Sequence, residues 1–301
     1  MTNVEGKMKK PLVIIASIFF LALCAYFILG YERSHNASWH TPRILRVSDR
    51  SVVSLTEVLE DLAGVRLVCI GELHTAASHH RAQLAVIRAL HNGGRKIAVG
   101  LEMFRAEEQE QLNRWTRREM PEQNFVPLYF RNWSLPWELY ADIFLYCRDN
   151  AIPMIGLNVP GAVTRHVARK GFSSLAEEQL KHLPPVSCDV DQVYQDFIRR
   201  ALGDTHKHGA DFEYFCEAQL VWDTAMAWQA LRFLKENPNH TLVILAGSGH
   251  AWKRGIPEQI RRQSGITFRV ILPEKPTLDR KGVKLEDTDY LWLDLPLEHA
   301  R

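Results

Sequence analysis

The sequence predicts an α/β protein: a mostly parallel sheet with helices on both faces and a helical insertion between the third and fourth strands. Short runs that are apolar along their whole length, such as Val68-Cys69-Ile70 and residues 241–246, alternate with segments of helical periodicity. Strands of that kind are buried on both sides, and parallel strands need crossover connections that place helices there. With 301 residues, 46% of them hydrophobic, the chain has material for one large core.

Residues 1–10 read as a basic N-terminal segment held in the cytoplasm, because Lys7, Lys9 and Lys10 precede an uncharged run over residues 11–31. That run has the roughly 20 residues a helix needs to cross a bilayer. The expectation is therefore a single inner-membrane anchor, with the remainder on the periplasmic, extracytoplasmic side. A cleaved signal segment is the competing reading. A lipoprotein is disfavoured, since Leu23 stands before Cys24 where a small residue belongs and the apolar run continues to Leu29. Residues 32–50 are expected to be a tether and residues 51–301 the folded domain.

Within the domain, residues 54–62 have the pattern of a short helix. Residues 66–70 make the first strand, closed by Gly71, and residues 77–91 a helix through Leu84, Ile87 and Leu90. The alternation repeats with a strand at 97–101 and a helix at 106–118, then a strand at 153–157 and a helix at 162–169. Three helices, at about 175–182, 190–202 and 211–235, form the insertion over residues 175–236. A fourth strand at 241–246, a fifth at 268–272 and a terminal edge strand at 290–295 complete the sheet.

Positive and negative side chains nearly balance, 37 against 35, so no overall field favours nucleic acid. A small-molecule partner is expected instead. The five cysteines show no metal-ribbon or redox spacing, and a disulfide among Cys147, Cys188 and Cys216 is left open.

In open parallel sheets, ligands bind beyond the carboxyl ends of the strands. The residues there are Gly71-Glu72-Leu73-His74, then Glu102-Met103-Phe104, Asn158-Val159-Pro160, and Gly247-Ser248-Gly249-His250. A glycine shortly before a histidine lets the chain turn so that the imidazole projects across the rim, and this happens twice. Glu72 and Glu102, desolvated at strand ends, need a histidine, a cation or a metal as partner; a rim arginine such as Arg105 or Arg131 is the structural alternative. His79 and His80 open the first crossover helix, with Gln83 one turn beyond His79. Gln219 and Asp223, a turn apart in an apolar stretch, are expected to fasten the insertion to the rim. Tyr194 and Tyr214 lie in the insertion, and His206, Lys207 and His208 read as a solvated loop. Gly247-Ser248-Gly249 lacks the flanks of a serine nucleophile turn.

Taken in order, Gly71-Glu72-x-His74 with His79-His80-x-x-Gln83, Leu101-Glu102-Met103-Phe104, Gly156-Leu157-Asn158-Val159-Pro160, Ala218-Gln219-x-x-x-Asp223-x-x-Met226-Ala227, and Gly247-x-Gly249-His250 with Gly255-Ile256-Pro257 resemble the ChaN-like haem-binding family. Its wider group includes the Tiki proteases and erythromycin esterases. The resemblance spans residues 54–272. It implies an extracytoplasmic haem-binding protein of iron acquisition, in which a homodimer encloses haem stacked face to face and a tyrosine ligates the iron. Under it, His74, His79, His80, Tyr194, Tyr214 and His250 are the cofactor-binding candidates, and no motif chooses between the tyrosines. The second reading is a hydrolase, with Glu72, His74, Glu102 and His250 catalytic or holding a divalent metal that activates water.

Overall fold

The computed structural model of this chain describes residues 42–181, 183–186, 188–202 and 210–296. The basic N-terminus, the apolar run, most of the expected tether, and His206, Lys207 and His208 lie outside the described residues. Among the described residues, no helix is long and apolar enough to cross a membrane.

Eight strands form one sheet in the order β2-β1-β8-β7-β3-β6-β4-β5. In chain order they are β1 (Ile44–Arg46), β2 (Val52–Val53), β3 (Leu67–Glu72), β4 (Ile97–Arg105), β5 (Met154–Asn158), β6 (Thr241–Gly247), β7 (Phe268–Pro273) and β8 (Tyr290–Trp292). The run β8-β7-β3-β6-β4-β5 is parallel throughout, while β1 pairs antiparallel with both β8 and β2. The predicted α/β class and all five parallel strands are present.

Side-chain alternation along the strands divides the interior in two. Val68, Ile70, Val99, Leu101, Val243 and Leu245 face one apolar cluster, shared with the helices Leu55–Leu62, Ala77–Asn92, Gln109–Thr116, Glu122–Asn132 and Ala141–Asp149. Leu67, Cys69, Ala98, Leu242, Ile244 and Ala246 face the other, shared with Gln192–Leu202, Ala210–Glu236 and Ile256–Gln263. The period of two that makes a strand two-sided thus fills both layers.

Three features differ from the sequence expectation. Residues 290–295 shorten to β8, which is interior, because Ile44–Arg46, within the stretch expected to be a tether, pairs outside it with Ile44 and Leu45 buried. The crossover from β4 to β5 holds two further helices, Glu122–Asn132 and Ala141–Asp149, whose pattern is masked by Pro127 and by closely spaced aromatics. The last helix of the insertion, Ala210–Glu236, is also the crossover helix that covers β5 and β6.

Candidate functional site

The strand ends bring Glu72, His74, Glu102 and His250 together near Gly247, and the helix Ala210–Glu236 adds Asp223 behind His250. A methyl group built on Gly247 would lie 2.8 Å from His74 Nε2 and 3.6 Å from Glu102 Oε2, so imidazole and carboxylate both border the space that a side chain there would occupy. His250 Nε2 is 3.8 Å from Glu102 Oε1. Side chains from opposite ends of the sequence are therefore neighbours.

Strand parity explains how the cluster is divided. Glu72 shares the face of Val68 and Ile70 and points toward the helix Ala77–Asn92. It is 1% exposed and saturated with donors: its Oε1 takes a bond from His74 Nδ1 at 2.8 Å and another from the Tyr140 hydroxyl, and its Oε2 takes one from Gln83 Nε2 at 2.8 Å. Burial opposes its charge, yet the hydrogen bond from His74 and the proximity of the His74 and His80 rings outweigh that and hold the carboxyl well below its ordinary range. Burial likewise opposes a charge on His74. The bond to Glu72 and the nearby Glu102 overcome it, raising His74 to about 9. His74 keeps 34% of its side chain exposed and meets the edge of Trp133 at 5.0 Å. It is an imidazolium at neutral pH.

Glu102 leaves its strand at an irregularity. Leu101 pairs with Gly156 and Arg105 with Asn158, so β4 carries extra residues against β5, a bulge that re-aims the side chain. The bulge needs Gly156, where a Cβ would sit 2.5 Å from the Arg105 carbonyl oxygen. Glu102 Oε2 accepts the Gly247 amide at 2.6 Å. Asn158 secures the bulge by donating to the Glu102 carbonyl at 2.6 Å, and its own oxygen accepts the Trp222 indole at 2.6 Å and the Val159 amide at 2.8 Å.

His250 belongs to the opposite layer. Its Nδ1 lies 2.7 Å from Asp223 Oδ1, and Asp223 Oδ2 accepts the Tyr194 hydroxyl at 3.2 Å. Burial raises Asp223, partly offset by His250 and Tyr194. Burial works against a charged His250, but Glu102 and Asp223 prevail and raise it. Asp223 thus fastens the helix Ala210–Glu236 to the rim, as its spacing predicts.

The remaining sequence candidates fall elsewhere. His79 is 1% exposed, accepts the Leu73 amide on Nδ1 at 2.9 Å, and is pushed down to about 4 by burial, so it is neutral. His80 is 2% exposed, packs against Tyr140 with ring centres 4.1 Å apart and the planes tilted by 39°, and holds Nε2 3.5 Å from Glu72, long for a hydrogen bond. Both histidines are interior, His79 holding the Leu73 backbone and His80 packed beside Glu72. Tyr194 is buried on Asp223, and burial with that carboxylate keeps its phenol protonated. Tyr214 is half-buried, its ring against Gly171, where a Cβ would meet Tyr214 Cε1 at 2.7 Å. Arg105 pairs with Glu107 and Glu108 rather than with either rim glutamate. The expected metal set Glu72, His74, Glu102 and His250 is split between two dyads, and among the described residues no three His, Cys, Asp or Glu side chains are arranged to hold a metal ion. Cys69, Cys147, Cys188 and Cys216 are free thiols. Sequence reasoning misses Tyr140, Trp133 and Trp222, none of which lies in a motif at a strand end.

An α/β sheet with paired glycine-histidine turns at its carboxyl rim defines the class of protein. The chain belongs to the haem-binding uptake family of the Tiki superfamily, ChaN, whose model matches residues 58–260. ChaN of Campylobacter jejuni, solved with cofacial haem, aligns over 84% of this chain and 97% of its own at 19% identity, with a TM-score of 0.65, a likeness of fold. A mutant of the erythromycin esterase EreC in its open conformation aligns less closely, over 79% of this chain and 77% of its own at 16% identity, with a TM-score of 0.47. Protein RETICULATA-RELATED 5, chloroplastic, of Arabidopsis thaliana is 24% identical over 257 residues, 78% of this chain, and the chain spans 35% of that protein's length.

Proposed function

We propose that this chain binds haem in haem-iron uptake, as an extracytoplasmic domain anchored through residues 11–31 and dimeric around its ligand. Membership of the ChaN family over residues 58–260 carries this reading. The donor set of the described residues fits the group at one tyrosine. A phenolate is a hard, anionic ligand suited to ferric haem iron. The phenols of Tyr129, Tyr140, Tyr146, Tyr194 and Tyr290 are all engaged in hydrogen bonds. Tyr214 is half-buried at the outer part of the helix Ala210–Glu236, beside Gly171 and the exposed cations Arg169 and Lys170, which suit carboxylate side arms. His74 and His250 have Nδ1 engaged by Glu72 and Asp223, which leaves Nε2 as the nitrogen each could offer a ligand.

Adding haemin to the full chain in detergent is expected to produce a saturable Soret band. Tyr214→Phe shifts and weakens it by about tenfold in affinity, the equivalent of ~1.4 kcal/mol, whereas Tyr194→Phe leaves its position unchanged. No Soret band from the unsubstituted chain would refute haem binding, and a band indifferent to Tyr214→Phe would refute the ligand.

A second reading, acid-base chemistry at the rim, is favoured by one observation: two imidazoles, each fixed by a buried carboxylate, converge on a third carboxylate, Glu102. Hydrolysis of an acyl substrate is the reaction this suits.

A further inference from the structure

The turn that carries His74 out of the sheet is closed by a second histidine. β3 pairs with β6 as far as Glu72 and Gly247, and with β7 only as far as Ile70 and Ile271. The Leu73 amide lies past that ladder, and its acceptor is a side chain, His79 Nδ1 at 2.9 Å. Two backbone bonds complete a closed loop: the Ala76 amide donates to the Leu73 carbonyl at 2.9 Å, and the His79 amide to the Ala76 carbonyl at 3.0 Å. His74 sits within it. A backbone N–H can only donate, so Nδ1 of His79 is bare and the ring proton is on Nε2. The bond itself makes that assignment. His79 is 1% exposed, and among the described residues its buried Nε2 has no hydrogen-bond partner. Charging this ring would set a second N–H against that of Leu73, donor to donor, and would bury a cation. Burial is the main force against it. Of the titratable groups nearby, Glu72 at the end of β3 favours the charge, while His80 on the same helix and Lys275 beyond β7 oppose it. Glu72 is already bonded to His74, Tyr140 and Gln83.

We propose that the bond from the Leu73 amide to His79 is an acid-sensitive latch: a proton taken up from solvent on His79 Nδ1 breaks it and frees the turn that holds His74 at the rim. The latch goes beyond the functional readings above and works the same way whichever ligand the rim takes. The closed form admits only the neutral ring, which is held at about 4 against 6.5 for a free imidazole. A base whose value is depressed in the closed form binds protons better in the open one, so acid favours opening from about pH 6.5 down to about pH 4. Between pH 7 and pH 4 those two values make the open population grow about a hundredfold. His74 then loses its fixed place beside Glu72 and Gly247, and a ligand held through His74 is released. His250 is held by Asp223 from the opposite layer and is no part of the latch. His79 is thus a positioning residue, which acts on the rim through the backbone of the turn.

Amide hydrogen exchange on the full chain in detergent, normalised to the intrinsic rate at each pH, tests this. Protection of the Leu73 amide is expected to fall about a hundredfold from pH 7 to pH 4. The Thr241 amide, which donates to the Lys96 carbonyl at the far end of the sheet, is expected to keep its protection and so reports on the fold as a whole. In His79→Asn the side-chain oxygen takes the Leu73 amide without titrating, and the fall at Leu73 is expected to vanish. Leu73 protection that ignores pH overturns the latch, and so does a loss shared equally by Thr241, which would be unfolding of the sheet. A fall that persists in His79→Asn shows that another group is the sensor and overturns the assignment. Should that variant not fold, imidazole nitrogen NMR of the unsubstituted chain at pH 7 decides by itself: the proton of His79 is expected on Nε2, and a proton on Nδ1 means that the Leu73 bond does not exist.

Discussion

Raising the pH through 9 strips the charge from His74 and with it the ion pair to Glu72. The folded chain raises this imidazole from 6.5 to about 9. A group whose folded value lies above its unfolded one contributes stability that is complete below the unfolded value and is lost as pH climbs through the folded value. The contribution from His74 is therefore full at pH 6 and gone by about pH 10. The displacement corresponds to at most ~3 kcal/mol. With 34% of the side chain in water, screening reduces this to about 1–2 kcal/mol. The perturbation is His74→Gln, whose amide still donates to Glu72 but does not titrate. Urea unfolding of the unsubstituted chain and the variant at pH 6 and pH 10 isolates the residue, because lysines and tyrosines titrate equally in both. The stability gap between the two proteins should narrow by about 1–2 kcal/mol on going to pH 10. A gap that is constant across the range would show that folding does not raise His74, and the reasoning from its pairing with Glu72 would fall.

Two further outcomes follow from the packing. In Gly156→Ala the new methyl lies 2.5 Å from a backbone carbonyl oxygen of the bulge, which has no flexible end to move, so stability should fall by about 1–3 kcal/mol and Glu102 should shift; an unchanged melting temperature would show that the bulge does not depend on that glycine. Tyr194→Phe removes one of the hydrogen bonds to buried Asp223, at a cost of ~1–3 kcal/mol, and lets Asp223 rise further, which carboxyl NMR titration would register; an unmoved Asp223 would mean that Tyr194 does not position it.

The sheet was legible in the sequence because its central strands are apolar on both faces. The runs at Val68-Cys69-Ile70 and 241–246 have no other stable environment, and a strand end followed by glycine and histidine marks where the chain turns out of the sheet. The rim was legible at Glu72, His74, Glu102, Asp223 and His250, which the fold collects. What periodicity does not carry is parity at a bulge. Met103 returns to the face of Leu101, but Glu102 is re-aimed by the residues that β4 gains over β5, and only a partner strand reveals that. Tyr140, which completes the shell of Glu72, comes from a crossover with an internal proline and no strand end near it. Ile44–Arg46 escapes for a different reason. Three residues paired antiparallel to a distant strand are too short a run to show a period at all.

Haem binding and acid-base chemistry are often weighed as rivals for one site, but here they make opposite demands on a side chain. Iron ligation needs a lone pair on an accessible atom. At the rim His74 and His250 have Nδ1 committed to buried carboxylates, and His79 is enclosed with Nδ1 committed to the Leu73 amide. The accessible phenol of Tyr214 lies nine residues from Asp223 along one helix, about 13 Å at 1.5 Å per residue. Substitutions at the rim and at Tyr214 are therefore separable tests. A rim variant such as Glu102→Gln that abolished haemin binding as thoroughly as Tyr214→Phe would mean that the two regions serve a single ligand, and the division drawn from their separation along the helix would have to be abandoned.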